Sequence, residues 1–155
     1  AALEARAAAH GLAPYVTFAG QMSAREAFAR GRVMVVPSRA ESLPYVVLEA
    51  AGARVPMIAT VAGGVPEIFG PHANRLIAFG DSELLAQRLT AALSSPPALL
   101  AREADEVFSF VSRTFTLKGM VDAVLEGYRD ALAARHFDAA AANAHSAAIH
   151  FAKNV

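Results

Sequence analysis

The 155 residues are 55% hydrophobic and 18% charged, with 14 Lys and Arg against 14 Asp and Glu and a formal net charge of zero. That length suits one modest domain with a real core, the composition excludes a disordered chain, and the balanced charge gives no support to nucleic-acid binding. The absence of cysteine excludes disulfides and thiol catalysis and permits a cytoplasmic setting. No apolar run is long enough to span a bilayer, and Glu4 and Arg6 interrupt the opening alanine run where a secretory leader would be unbroken.

In chain order, residues 3–10 read as a helix end, with Gly11 as its left-handed stop. Residues 16–19 (Val-Thr-Phe-Ala) predict a short strand. Ser23 caps a helix to about Arg30, and Gly31 ends it. Residues 33–36 are a continuous apolar run halted by Pro37, the pattern of a strand buried on both faces. A helix is expected from about Leu43 to Ala53, then a strand over 56–60, a break at Gly63 and Gly64, and a short helix over 65–69. Residues 76–79 predict a fourth strand. Asp81 or Ser82 caps a helix to about Leu93, and Pro96-Pro97 separates it from another reaching about Phe110. After Thr116, Leu117, Met120, Val121, Val124, Leu125, Tyr128 and Leu132 repeat at helical spacing, a stripe for core packing or for docking. Two segments follow from this pattern: a domain over 1–135, and an alanine-rich tail over 136–155 that is compatible with helix. Alternating strands and helices predict an α/β fold, a Rossmann-like parallel sheet with flanking helices. Its ligands would bind beyond the carboxyl ends of the strands, in the loops 20–23, 37–43 and 60–66.

The loop 37–43 is the richest in chemistry. Ser42 is a candidate N-cap, and Pro44 suits a first helical turn, where its missing N–H costs nothing. Open amides at a helix start favour phosphate. Glu41 lies just before this turn. Glu49 stands among Val46, Val47, Leu48, Ala50 and Ala51, and a carboxylate in such surroundings needs water or a donor. Arg39 or Arg54 would serve as an ion-pair partner; the two hydroxyls of a ribose would serve equally well. Tyr45 and Glu49 are four apart and share a helix face.

Pro37-Ser38, Glu41, and Glu49-Ala50, with seven residues between the two Glu, resemble the family 4 retaining glycosyltransferases of two-domain GT-B fold. The resemblance continues through Val16 to Gly20, Val61 to Glu67, Gly80-Asp81 and Phe115 to Leu117, and covers residues 3–132 in register. It implies the C-terminal, donor-binding domain of such an enzyme, lacking its first strands, and preceded by an N-terminal acceptor domain. The opening Ala-Ala-Leu-Glu, without Met, agrees with a natural start further upstream. By this resemblance Glu41 acts catalytically beside the donor sugar hydroxyls, the amides of Leu43 and Tyr45 hold the diphosphate around Ser42 and Pro44, and Glu49 binds the ribose. Gln21 and Met22 line the nucleobase, and Gly63 and Gly64 touch the sugar. The implied reaction is hexosyl transfer from a nucleoside-diphosphate sugar, with retention, in polysaccharide or glycolipid biosynthesis. It needs no metal and no cofactor beyond the donor. The implied place is the cytoplasm, with the full-length protein at the inner face of the cytoplasmic membrane, and the fragment alone transfers nothing.

The sequence departs from the family at Ser42-Leu43-Pro44, often Gly-Phe-Gly, and at Asn74-Arg75, often Asn-Gly; Arg32 stands where Asp is usual. Two other readings compete: a nucleotide-sugar epimerase of GT-B-like fold, and a non-catalytic nucleotide-sugar-binding module. A dinucleotide oxidoreductase is disfavoured, because no Gly-x-Gly-x-x-Gly follows a strand. His10, His72, His136, His145 and His150 lack zinc-type spacing.

Overall fold

A computed structural model describes the backbone of residues 2–152 and the side chains of residues 2–134. The chain forms two compact units, residues 1–111 and 112–155.

In the first unit the helices are α1 (Ala2–Ala9), α2 (Ala24–Phe28), α3 (Tyr45–Gly52), α4 (Val65–Phe69), α5 (Ser82–Ser94) and the start of α6 (Pro97–Thr114). Strands β1 (Met34–Val36) and β2 (Met57–Ala59) pair in parallel, with Met34 opposite Met57 and Val36 opposite Ala59. A single parallel bridge from Thr60 to Ile77 adds a third chain segment to this sheet. The result is α/β, mostly helical, with a small parallel sheet.

Several helix starts follow directly from the sequence. The Ser23 hydroxyl accepts the Glu26 amide at 3.3 Å, and the Glu26 carboxylate accepts the Ser23 amide at 3.1 Å, a reciprocal cap that satisfies two otherwise open donors of α2. Asp81 accepts the Leu84 amide at 2.9 Å and opens α5. Arg32 finds its role at the other end of that helix, donating to the carbonyls of Leu93 at 3.2 Å and Ser95 at 3.4 Å. A cation there complements the negative end of the helix dipole.

The core lies between α3, α4, the sheet and α6. Val47, Ala50 and Ala51 of α3 are buried, as are Val65, Ile68 and Phe69 of α4. Leu100, Ala104, Val107 and Val111 are buried too, recur at helical spacing and give α6 one apolar face, and Phe69 shares a cavity with the first three. Ion pairs staple the rim. Arg54 pairs with Asp105 at 2.8 Å and stacks on the Phe108 ring at 4.0 Å. Arg75, in the 3-10 turn Gly70–Arg75, pairs with Glu106 and donates to the Glu103 carbonyl at 3.3 Å.

Four expectations are corrected. Residues 16–19 form no strand; Val16 and Phe18 are exposed, and the amides of residues 17–19 donate to no backbone carbonyl among the described residues. An alternating pattern makes a strand only where a neighbour offers a ladder. Residues 76–79 contribute only the Ile77 bridge, and Phe79 is exposed. In the run 33–36 only Val36 is buried, because this short sheet covers the rest incompletely. Finally, α3 begins at Tyr45 with Pro44 as its N-cap (φ −74°, ψ 108°), not with Ser42. A residue before proline is held out of the helical region, so Leu43 cannot join the first turn that a Ser42 cap would require.

In the second unit α7 (Leu117–Ala152) opens with the Thr116 hydroxyl accepting the Gly119 amide at 3.0 Å. Its predicted stripe, Leu117 to Leu132, is exposed along its length. The side chains of the tail 136–155, including His136, His145 and His150, lie outside the described residues.

Candidate functional site

The parallel strands end together, and the loops that leave β1 and β2 are bound to each other. Thr60 is the main link. It is buried, with 3% of its surface exposed. Its hydroxyl donates to the Ser38 carbonyl at 2.6 Å and approaches the Val36 carbonyl at 3.3 Å, while its amide donates to the Val36 carbonyl at 3.1 Å. Four residues further along the first loop a second clamp forms, with the Gly64 amide donating to the Ser42 carbonyl at 2.6 Å.

Two glycines allow this approach. Gly63 has φ +47°, and a Cβ there would overlap the Glu41 carbonyl. A Cβ on Gly64 would lie 2.7 Å from the Ser42 carbonyl oxygen and 2.9 Å from Leu43 Cδ1. Only backbone without side chains fits against residues 41–43. Gly63 and Gly64 thus support the acidic loop from below.

Glu41, held between the two clamps, is half-buried, and its Oε1 accepts the Ser38 hydroxyl at 2.6 Å. Beyond it α3 begins. Ser42 and Tyr45 are exposed, Leu43 is half-buried and Pro44 is buried. Among the described residues the amides of Leu43, Tyr45 and Val46 donate to no carbonyl or side chain. The Pro44 carbonyl accepts from Val47 at 3.0 Å, which closes the first turn beneath them. Open amides at a helix start carry partial positive charge and suit an anion.

Glu49 lies one turn further along α3, about 6 Å from Tyr45 along the axis. Its side chain is exposed and, among the described residues, has neither hydrogen bond nor ion pair. The expected alternative does not form: Arg54 is committed to Asp105 and Phe108. Glu49 instead lines a cleft of about 430 Å³ together with Met22, Phe28, Met34 and Val46. Two residues expected to act on the same ligand, Met22 and Glu49, therefore share one concavity. Gln21 is exposed and next to Met22 but does not line it. A second cavity of about 180 Å³, around Pro56 and Leu100, shares Val33 and Val55 with this cleft.

Among the described residues no three His, Asp or Glu side chains gather as metal ligands, and no helix is long and apolar enough to cross a membrane. The carboxyls that stray from the usual range lie elsewhere. Glu106 is held below it, chiefly by the hydrogen bond from Arg75, and Glu26 by the hydrogen bond from the Ser23 side chain.

Sequence reasoning missed the two hydroxyls that organise the site. Ser38 was visible as part of Pro37-Ser38, but nothing in the spacing marked it as a donor to Glu41. Thr60 gave only a weak signal, as a polar residue ending an apolar strand.

The family model for glycosyl transferases group 1 matches residues 1–95. TuaC of Bacillus subtilis (strain 168), described as a glycosyltransferase of teichuronic acid biosynthesis, is 43% identical over 58 residues, 37% of this chain and 15% of that protein. The sulfoquinovosyl transferase SQD2 of Arabidopsis thaliana is 49% identical over 43 residues, 28% of this chain and 8% of that protein. The aligned stretches thus span well under two thirds of both relatives. No solved structure matches.

Proposed function

The chain belongs to the glycosyl transferases group 1 family, and from that premise we propose that it supplies the donor-binding half of a retaining glycosyltransferase. The donor is a nucleoside-diphosphate sugar. Its diphosphate sits at the start of α3, on the open amides of Leu43 and Tyr45 beside Ser42 and Pro44. Glu49 binds the two ribose hydroxyls, and Gln21 and Met22 border the base. Glu41 accepts from the sugar hydroxyls next to the carbon that is transferred, with Gly63 and Gly64 beneath the sugar.

One observation carries this reading: open amides stand at the start of α3, and an unpaired carboxylate one turn further along the same helix lines an apolar cleft. A nucleotide sugar has the same order of parts, with phosphates between a sugar and a ribose-base. Amides fixed in the fold stabilise the departing diphosphate without reorganising as its charge grows, so no metal and no further cofactor is required. The acceptor is held by a separate N-terminal domain. The protein works in the cytoplasm or against the inner face of the cytoplasmic membrane, in polysaccharide or glycolipid synthesis. Residues 1–135 form the donor-binding part, with 136–155 an appended tail.

Calorimetry with UDP and GDP on the full-length protein tests the reading. Binding of one of them is expected to weaken about ten-fold or more in Glu49→Ala, the scale of lost hydrogen bonds to a charged group. Equal affinity in wild type and variant would refute the assignment of the ribose.

A further inference from the structure

We propose that Ser38 is a positioning residue for Glu41, fixing which carboxylate oxygen meets the donor sugar; this rests on the donor-site reading above. The Ser38 hydroxyl donates to Glu41 Oε1 at 2.6 Å. A serine and a carboxylate three residues apart often bond in this way merely to stabilise a turn. Here the turn is secured without that bond. On one side the Ser38 carbonyl accepts the hydroxyl of buried Thr60 at 2.6 Å, and on the other the Ser42 carbonyl accepts the Gly64 amide at 2.6 Å. Gly63 packs against the Glu41 carbonyl between them. The backbone from 38 to 42 is thus anchored at both ends by the loop after β2.

What remains free is the Glu41 side chain itself. It is only half-buried, and among the described residues its one hydrogen bond is the one from Ser38. The serine hydroxyl therefore sets a rotamer, not a fold. With Oε1 already accepting from Ser38, Oε2 is the oxygen with both lone pairs open to a sugar hydroxyl. A side chain held in one conformation before the donor arrives does not lose that freedom during turnover. Thr60 acts one step further back, by holding the Ser38 backbone from which the hydroxyl projects.

The test uses the full-length protein with UDP-glucose and GDP-mannose as donor probes, reading donor turnover, nucleoside-diphosphate affinity and melting temperature. Ser38→Ala is expected to lower kcat about ten-fold, the scale of one or two frozen rotors, with unchanged melting temperature and unchanged affinity for UDP or GDP. Ser38→Thr keeps the hydroxyl and is expected to restore most of kcat. In a Glu41→Ala background, Ser38→Ala should cost nothing more. An undiminished loss in that background, or a melting shift in place of a kcat loss, overturns the role of Ser38 alone. A normal kcat in Glu41→Ala overturns the reading of Glu41 as well.

Discussion

Gly63 lies so close to Glu41 that a Cβ on the glycine would overlap the carbonyl oxygen of the glutamate. The contact joins the loop after β2 to the loop after β1, and both emerge from the carboxyl ends of parallel strands. A tight loop of glycines is thereby the floor on which the acidic loop rests.

Gly63→Ala should therefore cost more than its backbone angle accounts for. A left-handed conformation costs a non-glycine residue roughly 1–2 kcal/mol, and the overlap adds to this by pushing Glu41 away. Gly11 provides the control, with φ +68° and nothing within 4 Å of a Cβ. Urea titrations of Gly11→Ala and Gly63→Ala should show the latter as the more destabilised, and only the latter should lose donor affinity. Equal losses in the two variants would mean that the contact is soft.

Thr60→Val removes a hydroxyl and keeps the shape. The Ser38 carbonyl then loses a bond of 2.6 Å at a site where Thr60 is 3% exposed. A partner left unsatisfied in such a place costs roughly 1–3 kcal/mol. The expected result is a lower unfolding midpoint in Thr60→Val, with Thr60→Ser closer to wild type because the donor is retained. A midpoint in Thr60→Val equal to that of wild type would show that water replaces the hydroxyl.

Glu49 is the opposite case. It is exposed and has no protein partner among the described residues. Substitutions at such positions usually lie within about 0.5 kcal/mol of neutral. Glu49→Ala and Glu49→Gln should consequently melt like the wild type. A melting loss well beyond that range would mean that the carboxylate supports the fold.

How far the sequence revealed these features depended on whether each signal was local. Ser23 with Glu26, and Asp81 before α5, are visible because a cap is written within four residues. The order of loops around Glu41 was likewise legible from apolar runs stopped by Pro37 and Gly63. The strand at 16–19 failed because pairing depends on a neighbour that the local pattern does not supply. Ser42 failed as a cap because Pro44 moved the helix start, a restraint that acts on Leu43 and outweighs the preference of serine. The bonds from Thr60 to Ser38 and from Gly64 to Ser42 each span more than twenty residues, a separation at which spacing carries no information.

Acid should weaken the first unit through Glu26 and Glu106. The hydrogen bond from the Ser23 side chain lowers the Glu26 carboxyl below its ordinary 4.5, and that from Arg75 does the same for Glu106. A carboxyl depressed in the folded state contributes stability that is fully present above its unfolded value and disappears as pH falls through the folded one. Glu26 is exposed and Glu106 half-buried, both within reach of solvent screening, so each contribution is small. Urea midpoints should fall on acidification below about pH 5, and Arg75→Met should flatten that fall. An acid limb of unchanged slope in Arg75→Met would show that the pair with Glu106 does not couple to folding.

Arg54 combines a backbone cost with side-chain contacts, and substitution can separate them. It has φ +55°, the one positive value outside glycine among the described residues. For a residue with a side chain that angle costs roughly 1–2 kcal/mol. Against it stand an exposed ion pair with Asp105 at 2.8 Å and stacking on Phe108 at 4.0 Å, each worth about 0.5–1 kcal/mol at an exposed site. Arg54→Ala loses the contacts and keeps the strained angle, so it should be clearly destabilised. Arg54→Gly loses the same contacts but relaxes the angle, and should lie near the wild type in a urea midpoint. If alanine and glycine proved equally destabilising, the end of α3 would be rearranging in the variants, and the left-handed turn would not be what sets the path from α3 into β2.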